Sequence, residues 1–406
     1  MSRFLKIPYI SLLVLLILTA LSYHPIYANV VTYDKGVNPL NRIIVAMTIV
    51  TFVLHFDYRI WLGNNFIKVF LAYVVIIGVI GYMIDQFKIT NWYFEEFRSI
   101  LMSFAFLLVG YSFCKKTTHN QLIGLIFLYS IFVIYAVYNQ LMQHAGGFII
   151  TDIYISYGKN TMGVMCASSC IALLFLAIEN NNRAIKLISW FLYIYIFILT
   201  ISIRARAGYI SILAITLYIV FKVYKGRQAI KNIMWLLLGI IVVLILSLFF
   251  SNVLYSIWDF VWDSFTRHQD MNDLSSGRKA INQFAIRIVA RSPFFGNLML
   301  QRDYQSAEVH NYFLRQLSSY GIIGSLPILL LYIYLFISIL KNIFKKNIEW
   351  TNIGFFVFLV PLIISLVEPT FPFAPGTGVI FPYILLGYSI RKKETEKQTI
   401  HNINGC

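Results

Sequence analysis

Between Ser275 and Gly324 the chain places Arg278, Lys279, Arg287, Arg291, Arg302 and Arg315 with a single histidine, His310. Arginine offers a planar, permanently charged fork suited to phosphate oxygens. Histidine accepts and releases a proton near neutral pH. Together these residue types suit binding of a phosphate-bearing ligand with proton transfer beside it. The spacing also fits a plainer role, in which Arg287 and Arg291 meet lipid headgroups and His310 caps a helix. A second basic pair, Arg204 and Arg206, stands in ISIRARAGYISILAI between two apolar blocks. Arginine at that depth is costly and usually turns into a cavity holding a partner, so the pair points to an anion there or to an interfacial turn.

The elements that must position these residues are apolar. Of 406 residues, 59% are hydrophobic and only 12% charged, and the mean hydropathy is +0.73. A soluble domain is about a quarter charged, so the composition implies an integral membrane protein. We expect an all-α, polytopic bundle of about 12 transmembrane helices, forming one membrane domain over 1–406. Blocks long enough to cross a bilayer fall near 7–23, 41–56, 67–84, 97–114, 121–140, 160–179, 187–203, 207–223, 231–250, 316–340, 351–368 and 375–390. The N-terminus has the basic, apolar and small-residue order of a signal peptide, and the spans after it make it an uncleaved first span. The polar tail from Lys392 to Cys406 is expected to be disordered.

The net charge of +16 is not a nucleic-acid signal, because the basic residues fall in short runs between apolar blocks. Alternate connections hold Arg3 and Lys6, Arg59 and Lys68, Lys115 and Lys116, Arg183 and Lys186, Lys222 to Lys231, Lys341 to Lys346, and Arg391 to Lys397. The positive-inside bias puts these loops and both termini in the cytoplasm. The large loop 251–315 then lies outside, and its basic residues need another explanation.

Within that loop, Ser275 to Gly277 can cap a helix. Ile281, Phe284, Ala285, Ile288 and Val289 then recur at helical spacing, making one apolar face for the membrane surface or the bundle. Ser292-Pro293 ends this amphipathic helix. Arg287 and Arg291 share its polar side, Arg278 lies in its first turn, and His310-Asn311 stands where loop becomes the next span. No P-loop, GxSxG, HExxH or DxD-type pattern is present, and the cysteines form no CxxC pair. Neutralisation of phosphate by arginine is therefore favoured over a divalent metal, and no cofactor or metal is expected.

These residues carry a resemblance. RARAGYISIL (204–213) resembles the SRAGW-type element of the O-antigen ligase and O-antigen polymerase superfamily, with Arg206 as its arginine and Ala205 in place of serine. SSGRKAIN (275–282) resembles the GR…W element through Arg278, with Asn282 where tryptophan is common. SPFFGN (292–297) is similar to P..G.G, HNYFLRQLSSYGIIG (310–324) to HN…L…G..G, and YGKNTMG (157–163) to KN..G.

The resemblance implies a metal-independent, inverting glycosyltransferase of GT-C-like architecture in a bacterial inner membrane, its site on the periplasmic face. The implied donor is a glycan on undecaprenyl pyrophosphate. Arg206 and Arg278 would grip the pyrophosphate, and His310 would act as base on the acceptor sugar hydroxyl. Arg204, Lys159, Arg287, Arg291 and Asn311 would be secondary binding residues. The acceptor would be a second lipid-linked repeat in a polymerase, or lipid A-core in a ligase. The GKNTMG stretch and the short 278–310 spacing favour the polymerase. Membrane lipids and a chain-length regulator protein are the other implied partners. A flippase of lipid-linked oligosaccharide is a more distant reading, since the chain shows no duplicated halves.

Overall fold

The computed structural model describes residues 6–22, 39–88, 92–145, 159–203, 205–223, 278–297, 309–344, 349–369, 372–373 and 377–404. Among these residues the secondary structure is helical, without a strand. The longer helices are α1 (Lys6–Leu21), α2 (Pro39–His55), α3 (Asn65–Lys88), α4 (Trp92–Lys116), α5 (His119–Ala145), α6 (Lys159–Glu179), α7 (Arg183–Ser202), α8 (Arg206–Val223), α9 (Arg278–Arg291), α10 (Tyr312–Ile343), α11 (Ile353–Ile364) and α12 (Thr377–Asn404), with short helical turns at Tyr58–Trp61 and Trp350–Asn352.

Every apolar block read from the sequence falls on one of these helices except 231–250, which lies outside the described residues, as does Arg204. Among the described residues six helices are long and apolar enough to cross a membrane, as in a multi-pass membrane protein. Their burial differs sharply. In α6 the spanning window is 89% buried, against 22% in α7, so α6 is a central helix and α7 a peripheral one. Leu187, Phe191, Ile194 and Ile198 of α7 are exposed accordingly. At the centre, Gly110, Gly354 and Gly387 let the backbones of α4, α11 and α12 touch, because a methyl group on any of them would strike a facing carbonyl. The N-terminal helix is part of this bundle, with Leu12, Leu15 and Leu16 fully enclosed.

The helix ends sort into two sets. At one end, Trp61 Nε1 donates to Ser112 Oγ at 2.8 Å, Lys116 Nζ to the Leu54 carbonyl at 2.9 Å, and Lys393 Nζ to Asn342 Oδ1 at 3.0 Å. The His119 and Trp350 rings meet edge to face there, and Lys222 Nζ donates to the Ile343 carbonyl. This is the end that carries the alternate basic connections. Its network also corrects one expectation. The polar tail is not disordered over Lys392–Asn404 but continues α12 as helix. Glu394 accepts from Asn64 Nδ2 and from the Tyr111 hydroxyl, which fixes that segment to the bundle.

At the opposite end lie the starts of α4, α6, α8 and α10 and the end of α11. Asp85 accepts from the backbone N–H groups of Tyr93 and Phe94 at 3.1 and 2.8 Å. It thereby caps α4 from the preceding helix, satisfying donors that a helix start leaves open.

Candidate functional site

His310 stands just before α10, and the local sequence explains why the helix starts there. Asn311 is its N-cap: the side-chain oxygen accepts from Leu314 N–H at 2.9 Å. The same amide donates from Nδ2 to the Leu366 carbonyl at 2.9 Å, and Tyr312 N–H donates to the Ser365 carbonyl at 3.1 Å. The start of α10 is thus tied to the turn that follows α11. Asn311 holds His310 through the backbone, with its side-chain amide committed to the Leu314 N–H and the Leu366 carbonyl.

That turn brings Glu368 to the histidine. His310 Nδ1 lies 3.8 Å from Glu368 Oε2, with side-chain exposures of 29% and 6%. The imidazole is therefore reachable while the carboxylate behind it is covered. His310 Nδ1 is a buried atom without a hydrogen-bond partner. A small rotation about the side chain would close it onto Glu368.

A second carboxylate stands below. Glu96, buried on the first turns of α4, accepts from Gln316 Nε2 at 2.8 Å and from the Tyr312 hydroxyl at 3.4 Å. Arg315 Nη1 lies 3.8 Å from Glu96 Oε2 and donates to the Pro369 carbonyl at 3.0 Å. One guanidinium therefore joins α4, α10 and the residue next to Glu368. A buried charge needs a partner and full hydrogen bonding, and here Tyr312, Arg315 and Gln316, all on α10, supply them. Glu96 and Glu368 carry no sequence signal of their own: each is a lone acidic residue at the edge of an apolar block, and only the fold sets Glu368 beside His310 and Glu96 beside Arg315.

The elements behind the other candidates also converge. Gly163 of KNTMG and Gly208 of RARAGY pack backbone to backbone: a methyl group on Gly208 would stand 3.0 Å from both Cα and O of Gly163. Ala205 is buried against the same contact, with its methyl 2.9 Å from one built on Gly163. The starts of α6, with Lys159, and α8, with Arg206, are therefore side by side at the His310 end. Arg206 is half-buried. The side chains of Lys159 and Arg278 lie outside the described residues, so for these two the helix positions alone are known, and Arg204 lies outside them altogether.

The amphipathic helix α9 has the predicted bounds. Its apolar face rests on the bundle: Ala285 and Ile288 are buried, and Ile281, Phe284 and Val289 are half-buried. Arg287 and Arg291 are exposed on the other face. A backbone clasp fixes α9 to α10. Asn297 N–H donates to the Ser318 carbonyl at 2.8 Å, Ile322 N–H to Pro293 at 2.8 Å and Ile323 N–H to Phe294 at 3.1 Å. The helix hydrogen bonding of α10 is interrupted at Gly321 (φ 64°, ψ −171°), and the clasp supplies the partners that the interruption removes. Gly296, at φ 61°, faces Gly321 so closely that a methyl on Gly296 would stand 2.5 Å from Gly321 N. The SPFFGN and YGIIG elements thus make a single joint.

Chemically, the arrangement offers a reachable base backed by a carboxylate, and helix starts whose N–H groups favour anions. Compared with known proteins, the chain matches no family model and no curated sequence.

Proposed function

We propose that the protein is a membrane glycosyltransferase that moves a glycan from undecaprenyl pyrophosphate to a sugar hydroxyl, joining the repeat units of a surface polysaccharide. The observation that carries this reading is the half-exposed His310, backed by Glu368 at 3.8 Å, at the same end of the bundle as the helix starts bearing Arg206 and Lys159. The resemblance stated above supplies the donor.

In this mechanism Arg206 and Arg278 take the pyrophosphate oxygens and the charge that develops on them. His310 accepts the proton of the acceptor hydroxyl as its oxygen attacks the anomeric carbon. The bond from that carbon to the pyrophosphate oxygen breaks on the opposite face, the configuration inverts, and undecaprenyl pyrophosphate leaves. Glu368 lies against the imidazolium formed in this step. Lys159, Arg204, Arg287 and Arg291 are further cations for the donor phosphates.

The same reading gives about twelve spans in the inner membrane, cytoplasmic termini, and the loop 251–315 with His310 on the periplasmic face. Its support is the gathering of the basic connections at the end opposite His310.

The test is reconstituted transfer with a defined lipid-linked repeat. His310→Ala and Arg278→Ala are each expected to abolish transfer with protein level and insertion unchanged, and EDTA is expected to leave it intact. Full activity in either variant overturns the mechanism. The acceptor is read from a deletion strain. A polymerase mutant retains one repeat on lipopolysaccharide, whereas loss of every repeat identifies a ligase.

A further inference from the structure

Phe294 and Phe295 form an apolar point that the proposed reaction does not use. They are consecutive, lie in the turn after α9, and are 61% and 49% exposed. Two large rings at a turn usually collapse onto the nearest apolar surface. Here the backbone is held by the clasp to Ile322 and Ile323 and by the paired glycines 296 and 321, and both rings keep about half or more of their surface exposed.

We propose that the Phe294–Phe295 turn is set into the acyl region of the phospholipid leaflet at the His310 end, with Arg287 and Arg291 at the phosphate level above it. Three observations converge on a lipid occupant. The first is continuity. The clasp partners Ile322 and Ile323 are exposed, and Leu326, Leu330, Ile333 and Ile337 extend them as one exposed stripe down α10, a helix apolar enough to span. The Phe pair therefore prolongs a surface that already faces lipid.

The second observation is depth. Before Gly321, α10 carries Arg315, Gln316, Ser318 and Ser319; after it, the helix is almost wholly apolar until Lys341. From Ile322 to Leu340 the helix is about 28 Å long at 1.5 Å per residue, close to the roughly 30 Å of a hydrocarbon core. The break, and the Phe pair clasped to it, stand where that core begins.

The third is the composition of α9. Its exposed face carries Gln283, Ile286, Arg287, Ala290 and Arg291, and the helix RKAINQFAIRIVAR contains no acidic residue. Apolar side chains mixed with arginine suit an interface, because the arginine stems lie along lipid while their guanidinium groups reach anionic phosphate. A protein partner would need acidic groups placed to match this face; a leaflet supplies phosphate at every position along it.

The inference does not depend on the chemistry at His310. The test uses the full-length protein in cell membranes whose phospholipids carry radiophosphate. Phe294, and separately Phe295, is replaced by the photoreactive p-benzoylphenylalanine, and the membranes are irradiated. Leu330 on the exposed stripe is the lipid-facing reference. Labelled adducts at 294 and 295 in yield comparable to that at Leu330 are the expected result. Loss of the adduct at both positions while Leu330 retains it, or crosslinking to another protein instead, overturns the proposal.

Discussion

Glu368 is the residue whose role can be separated most cleanly from folding. Its carboxylate is covered and faces the Nδ1 side of His310, leaving the other ring nitrogen for an acceptor hydroxyl. If His310 takes a proton during transfer, the carboxylate holds the ring and stabilises the imidazolium. Glu368→Gln keeps the shape and removes the charge. It is expected to lower kcat by about ten- to a hundredfold with little change in KM for the donor, read from initial rates in the reconstituted assay. An unchanged kcat would take Glu368 out of the mechanism. His310 was legible as a candidate because, with Asn311, it stands where loop becomes the next span. Glu368 was not, because it follows α11 in VEPTFPF, where nothing in the local sequence relates it to a histidine before α10. Glu96 was hidden for the same reason: on α4 it is one acidic residue beside a span, and only the fold turns it toward Arg315 and Gln316.

The joint between α9 and α10 is a property of elements. Each half was visible as sequence: Ser292-Pro293 ends one helix, and HNYF opens the next. Their union was not, because YGIIGS lies inside a long apolar run and reads as continuous helix. The break persists because an element some twenty-five residues earlier in the chain supplies the missing hydrogen-bond partners. Gly321 has a conformation essentially confined to glycine, and a methyl there would collide with the Phe294 carbonyl and Phe295 nitrogen. Gly321→Ala is expected to cost about 1–3 kcal/mol in backbone strain alone and to open the clasp. The readout is a lower unfolding temperature in detergent together with protease sensitivity confined to 278–297. A variant as stable and protected as the native protein would show that the clasp does not hold α9. The helical tail is the opposite case, where composition argued for disorder and contacts from Asn64, Tyr111 and Asn342 override it.

At the scale of the whole molecule, the alternating basic connections meet as one charged end, and that end has its own pH response. Glu396 lies on the polar half of α12, past the apolar part of the helix. Its carboxyl is raised above the ordinary glutamate value, first by burial and then by the neighbouring Glu349 carboxylate, with Lys392 and Lys393 opposing. A carboxyl raised by folding binds its proton more tightly in the folded state than in the unfolded one. Stability therefore falls as pH rises from the ordinary carboxyl range through the raised folded value. Below that range both states are protonated and the group contributes nothing. Glu396→Gln removes the titration and the repulsion from Glu349 while keeping side-chain size. The variant is expected to unfold at a higher temperature than the native protein at about pH 7 and at the same temperature near pH 3, below the ordinary glutamate range, where both forms are neutral. Thermal unfolding in one detergent across that range checks it. A variant less stable at neutral pH would mean that the lysines outweigh Glu349 and that the basic end is held by its charge, and a gap that is the same at both ends would mean that ionisation of Glu396 does not set it.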